Sequence, residues 1–241
     1  MNSYQAHISQ SNGLGWRNAD AYLFDIDGTL LVTSDGVHRA AIHQAMREVY
    51  GVETTIDGVA YHGKTDLGIL RAALKRVGIR DGVFETGLNA ALQVVRREVS
   101  ANAGRIAPTV FVDVRALLIR LKSAGKLLGV ASGNLESVGW HKLQTAGLRS
   151  FFRFGCFSDQ REKRADIFHD ALHEARRRLG TNANICFVGD TPEDIRAAQQ
   201  VNAHIIAVCT GIFKAEELSR LEPDVCVGSC SQLLSAFADG G

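Results

Sequence analysis

Four short runs, Ala21–Phe24, Leu127–Ala131 and residues 185–188 and 205–208, are apolar at every position instead of at every second one. A strand built this way has no face to offer water, so it belongs in a sheet covered on both sides, which parallel strands joined by helical crossovers provide. The segments between and around them have the three-and-four spacing of amphipathic helices: residues 114–124, closed by Gly125, then 138–146, then 165–179, then a segment opened by Pro192. A weaker strand at 154–157 and a short one at 224–227, followed by a terminal helix, continue the alternation. The expected fold is α/β, a mostly parallel, Rossmann-like sheet with helices on both faces.

The alternation is interrupted once. After the first run come three helical patterns: Val37, Ala41, Ala45 and Val49; Leu67, Leu70, Leu74 and Val77; and Leu88, Leu92, Val95 and Val99. No strand of comparable strength separates them. The spacing predicts an all-helical cap over residues 34–105, inserted into a core formed by residues 1–33 and 106–241.

Several function classes are disfavoured by composition. The 241 residues carry a formal charge of +1, and the arginine-rich stretches at 96–97, 161–164 and 176–178 are broken by glutamates or set in helical patterns. No basic stripe with interleaved aromatics is present, so nucleic acid is not an expected partner. No apolar run approaches the ~20 residues that span a bilayer, and the N-terminal segment lacks a basic region followed by an apolar one. The five cysteines have no CxxC spacing, and an odd number without a framework fits a reducing cytoplasm better than a disulfide scaffold.

Ligands of open parallel sheets bind beyond the carboxyl ends of the strands, so the residues that end each apolar run matter most. The first run ends in Asp25-Ile26-Asp27-Gly28-Thr29, the second in Ser132-Gly133-Asn134, and a later one in Gly189-Asp190-Thr191-Pro192-Glu193-Asp194. A carboxylate at Asp25 can attack phosphorus and carry the phosphoryl group. Asp27 can protonate the leaving oxygen and later take the proton of the attacking water. Ser132 and Gly133 offer a hydroxyl and an open backbone to a phosphate oxygen. Asp190 suits Mg²⁺, a hard ion that prefers carboxylates, waters and phosphate oxygens. Asp194 can assist directly or through water, and with Thr191 and Pro192 it also makes a good helix start. An anion attacking an anion needs further positive charge, which either Lys163 or Arg164 supplies. In the cap, His62, Lys64 and Asp66 interrupt the helical periodicity; Lys64 is the long cation most free to recognise substrate, and Thr65 or Asp66 can cap the next helix.

Together these residues resemble the haloacid dehalogenase-like hydrolases, in particular the phosphatase branch with a small helical cap that includes phosphoglycolate phosphatases. The motifs FDIDGTL, ASGN and FVGDTPEDI, at residues 24–30, 131–134 and 187–195, carry the resemblance, which spans the chain from Asp20 onward. The third motif departs from the common Lys-Pro pair, with Lys163-Arg164-Ala165 in its place. The resemblance implies Asp25 as nucleophile, Asp27 as acid/base, and Mg²⁺ held by Asp25, the backbone carbonyl of Asp27 and Asp190. It also implies a small phosphorylated metabolite as substrate and a cap that closes over the cleft. A sugar-phosphate mutase keeps both aspartates and stays open as an alternative, as does a catalytically silent interaction protein.

Overall fold

The computed structural model describes residues 7–8 and 15–238. In chain order the core opens with strands β1 (His7–Ile8), β2 (Ala21–Phe24) and β3 (Leu31–Thr33). The helices α1 (Val37–Tyr50), α2 (Asp66–Arg76) and α3 (Asp81–Ala101) then form the inserted cap. The core resumes with β4 (Pro108–Val110), α4 (Val114–Ser123), β5 (Leu127–Ala131), α5 (Glu136–Thr145), β6 (Phe154–Cys156), α6 (Arg164–Leu179) and β7 (Ile185–Gly189). It ends with α7 (Pro192–Gln200), β8 (His204–Val208), α8 (Ala215–Ser219), β9 (Val225–Val227) and α9 (Cys230–Ala238).

The strand order is β1-β9-β8-β7-β2-β5-β6, parallel throughout except for the antiparallel pairing of β1 with β9. Continuous apolar character follows from this position: Tyr22, Leu23, Phe24, Phe187 and Val188 are buried because both faces of the sheet are covered. One face packs on α4 and α9 around Leu117, Leu118, Leu121 and Leu233, the other on α6 and α7 around Ile167, Phe168, Ile195 and Ala198. The chain leaves β2 for β5 and β6 on one side, then returns to build β7, β8 and β9 on the other. That reversal opens a crevice beyond the carboxyl end of β2.

The cap has its own apolar centre, where Ala41, Ala45 and Met46 of α1 meet Ala91, Leu92 and Val95 of α3. Leu135, just before the core helix α5, and Val138 within it belong to the same cluster, so the cap is seated on the core. Its entry and exit are joined by an antiparallel pair that periodicity did not predict: β3 and β4 align Leu31 with Val110 and Thr33 with Pro108. Segments of three residues have no resolvable period, and the two lie far apart in sequence. The short α8 and the edge strand β1 escaped for the same reason. Among the described residues no helix is long and apolar enough to cross a membrane.

Candidate active site

Strand register assembles the site. Phe24 lies level with Val130 on one side and Val188 on the other, so Asp25 emerges beside Ala131 and Gly189, and the next residues are Ser132 and Asp190. The amide of Asp25 donates to the carbonyl of Val188 at 2.9 Å, holding the aspartate to the sheet where β2 ends. Carboxylate oxygens of Asp25, Asp190 and Asp194 lie within 4.8 Å of one another, and all three residues are buried.

One cation serves this cluster. Arg164, the first residue of α6, reaches inward and donates from Nη2 to Oδ1 of Asp25 at 2.9 Å. Its Nε and Nη2 also donate to Oδ1 of Asp194, at 2.9 and 2.5 Å. Lys163, one position earlier, has no ion-pair partner among the described residues and lines a cleft of about 480 Å³ bounded by α2, α6 and α7. Lys64 lines the same cleft; its side chain is exposed, while its backbone carbonyl lies against Gly133. A Cβ on Gly133 would come within 2.5 Å of that carbonyl and 2.9 Å of Arg164 Nη1, so glycine is what lets the cap loop and the guanidinium share this space.

Asp27 faces a separate set of partners. Its Oδ2 accepts from Lys142 Nζ at 2.7 Å and from Asn134 Nδ2 at 2.8 Å. Asn134 Nδ2 also donates to Ser132 Oγ at 2.9 Å, which leaves the hydroxyl proton of the buried Ser132 able to point at a phosphate oxygen. Neither Lys142 nor a side-chain role for Asn134 was anticipated. The signal for Lys142 is its place on the buried stripe of α5 with Val138 and Leu143, where a lysine is out of character.

These surroundings drive the two aspartates apart. Burial pushes the Asp25 carboxyl up; Arg164 opposes this while Asp194 and Asp27 add to it, and the result is about 6. Burial and the negative charges of Asp194 and Asp25 push Asp190 up to about 8. Burial acts on Asp27 too, but the charge and hydrogen bond of Lys142, with help from Asn134, hold it below the usual carboxylate range.

The carboxylates suit a hard divalent cation. Among the described residues Asp190 receives one side-chain hydrogen bond, from Thr29 Oγ1 to Oδ1 at 2.9 Å, and Asp25 is met by the Arg164 guanidinium and the Ile26 amide. A Cβ on Gly28, whose φ is 88°, or on Gly211 would collide with Oδ2 of Asp190, so two glycines keep that oxygen clear. The Gly28 carbonyl accepts from Thr210 Oγ1 at 2.5 Å, which fixes the turn. Asp194 is differently placed. Its Oδ1 is held by Arg164, and its Oδ2 accepts from the amide and hydroxyl of Thr191 at 3.1 and 2.6 Å, closing a capping box at the start of α7.

A stability measurement follows. Carboxyls with raised folded-state values stabilise the metal-free fold below the ordinary carboxylate range, and that contribution is lost as pH rises through about 6 and about 8. A divalent cation binds the deprotonated forms. At one fixed Mg²⁺ concentration, a hundredfold above Kd at pH 8, chelator-treated protein should therefore gain about 5–10 °C in Tm near pH 8 and less near pH 5.5. An equal or smaller rise at the higher pH would count against these carboxylates as the ion's ligands.

A parallel α/β core with an inserted helical cap, and carboxylates gathered around one buried arginine at the sheet's carboxyl edge, defines a class of capped α/β proteins with a buried acidic site able to hold a divalent cation. The family model for haloacid dehalogenase-like hydrolases matches residues 19–202, and the chain belongs to that family. It is 28% identical over 222 residues to the probable phosphatase IndB of Dickeya dadantii, covering 89% of this chain and 91% of the other. With a phosphoglycolate phosphatase of Synechococcus elongatus it shares 30% identity over 221 residues, covering 90% and 96%. Among solved structures, CbbY from Rhodobacter sphaeroides in complex with xylulose-(1,5)bisphosphate superposes with a TM-score of 0.67 at 19% identity, covering 89% and 96%.

Proposed function

We propose that the chain is a Mg²⁺-dependent phosphomonoester hydrolase acting on a small phosphorylated metabolite through an aspartyl phosphate on Asp25. The observation that carries this reading is the division of labour between two aspartates two residues apart: Asp25 sits in the buried carboxylate and arginine cluster, while Asp27 is held by Lys142 and Asn134 with its side chain 40% exposed. Asp25 attacks phosphorus with Arg164 against its Oδ1, and Ser132 Oγ–H and Arg164 donate to the phosphoryl oxygens as charge moves onto them. Asp27 delivers a proton to the departing oxygen, and in the second step takes one from the water that hydrolyses the aspartyl phosphate. Mg²⁺ on Asp25, Asp190 and the Asp27 carbonyl, with Asp194 behind it, would supply positive charge to the phosphoryl group when bound. Lys64 and Lys163 add positive charge to a cleft on the Arg164 side of the site, a field that draws anions toward this part of the molecule.

The relatives named as phosphoglycolate phosphatases make 2-phosphoglycolate the first substrate to test, within a panel of sugar phosphates, nucleotides and alkyl phosphates assayed for phosphate release with and without Mg²⁺. Metal-dependent release from small anionic esters is the expected result. Isomer formation without net release would instead make the chain a mutase, and no turnover of any ester would remove the enzymatic reading. Asp27→Asn should slow leaving-group release from alkyl phosphates by about 10²–10⁴-fold and from p-nitrophenyl phosphate far less, because nitrophenolate departs without a proton.

A further inference from the structure

Lys142 is a buried cation for which the proposed chemistry has no step. Its side chain is 5% exposed and lies among apolar residues of α5, an environment that strongly disfavours an unpaired ammonium. An ammonium has three N–H donors, and each has a partner here: Asp27 Oδ2 at 2.7 Å, Asn134 Oδ1 at 2.9 Å and His38 Nδ1 at 3.5 Å. Lys142 is therefore committed within the protein and has no donor left for substrate. Both of its oxygen partners meet at Asp27, since Asn134 adds its own donor to the same Oδ2. Among the described residues no side chain donates to Oδ1. The carboxylate is held from behind at one oxygen and open in front at the other.

The third partner comes from the cap. His38 lies in the first turn of α1; with Nδ1 facing the lysine, its Nε2 carries the proton toward Asp66 Oδ2 at 3.0 Å. Asp66, the first residue of α2, accepts from the Leu135 amide at 2.8 Å with that same Oδ2, and its own amide donates to the Gly133 carbonyl at 2.8 Å. The contacts thus run from Asp27 through Lys142 and His38 to Asp66, and back into the core beside Asn134. They close only while α1 and α2 rest on the core.

We propose that Lys142 is a positioning residue that anchors Oδ2 of Asp27 so that Oδ1 is directed at the leaving-group oxygen, and that the cap completes the anchor through His38. The proposal rests on the reading of Asp27 as acid/base. It concerns orientation: a carboxylate free to rotate meets the leaving oxygen in a productive geometry only part of the time.

The test compares single-turnover leaving-group release from ethyl phosphate and from p-nitrophenyl phosphate on the same preparation, so that the fraction of folded enzyme cancels in the ratio. Lys142→Met should lower the ethyl-to-nitrophenyl ratio by about 10²-fold, approaching the effect of Asp27→Asn. Lys142→Gln serves as a second variant should the methionine protein fold poorly, and should lower the ratio less. His38→Ala, which leaves two of the three lysine contacts in place, should lower it about tenfold. Introduced into Asp27→Asn, the Lys142 substitution should change the ratio no further, because both act through one carboxylate. Equal slowing of the two substrates, or an undiminished Lys142 effect without the Asp27 carboxylate, would overturn the proposal. A wild-type protein that releases neither leaving group would instead strike at the hydrolase reading beneath it.

Discussion

Asp25→Asn is expected to reduce turnover by about 10⁴-fold or more while leaving the protein folded. An amide nearly matches the carboxylate in shape and its oxygen can still accept from Arg164 Nη2, but it is a poor nucleophile. The electrostatics of the site argue that the loss will not be a folding defect. Asp25 is crowded by Asp194 and Asp27, which push its carboxyl up to about 6 together with burial, so a neutral side chain relieves repulsion. The melting temperature of metal-free Asp25→Asn should accordingly match or exceed that of the wild type near neutral pH. Product-release assays, with mass spectrometry to detect deamidation back to aspartate, test the assignment. Near-normal kcat in a folded variant whose asparagine is intact would refute it.

Arg164→Ala should have the second largest effect, and on stability as well as activity. The guanidinium is buried and touches two buried carboxylates, so its removal strands both Asp25 and Asp194 without a counter-charge. Breaking a buried ion pair from one side costs about 3–5 kcal/mol. Loss of a donor to the transferring group should lower kcat/KM by a further factor of about 10²–10³. Because the alanine protein is at risk of unfolding, Arg164→Lys is the informative companion. It retains the charge but not the forked donors that reach Asp194 and Asp25 together, so it should fold and remain impaired. Lys163→Ala removes a cation that pairs with no carboxylate among the described residues and should change stability by no more than about 0.5 kcal/mol. If Lys163→Ala were the more damaging to kcat/KM, the role given to Arg164 would pass to its neighbour.

The parts of this molecule that were legible in its sequence are those with a local cause. Apolar runs at β2, β5, β7 and β8 stand out because burial on both faces removes every polar position, and the ends of such runs single out Asp25, Ser132 and Asp190. Thr191 and Asp194 likewise signal a helix start within four residues, and the capping box is formed. Relations across the chain were hidden. Lys142 lies 115 residues from Asp27, and nothing local to either one announces the other. The choice between Lys163 and Arg164 depends on where α6 begins: adjacent residues at a helix start project about 100° apart, so a shift of one position decides which enters the core. Of the two residues able by type to cap α2, Thr65 takes that task, with Oγ1 accepting from the Gly68 amide at 3.0 Å, and Asp66 binds across to the core.

The pairing of β3 with β4 bears on how such a chain can change over evolution. Thr33 and Pro108 sit opposite each other in a two-stranded ribbon, where neighbouring strands are about 5 Å apart. From the standpoint of the core, everything between them is equivalent to the tip of a hairpin. A replacement module of any size fits the same socket provided its two ends lie side by side, and no strand of the main sheet has to shift register to receive it. The carboxylates of Asp25, Asp190 and Asp194 lie on segments of the core, outside the insert. The strand ends and the insert can therefore diverge largely apart, one by point changes and the other by exchange of the whole module, except where His38 of α1 reaches Lys142: a replacement would have to bring its own partner there.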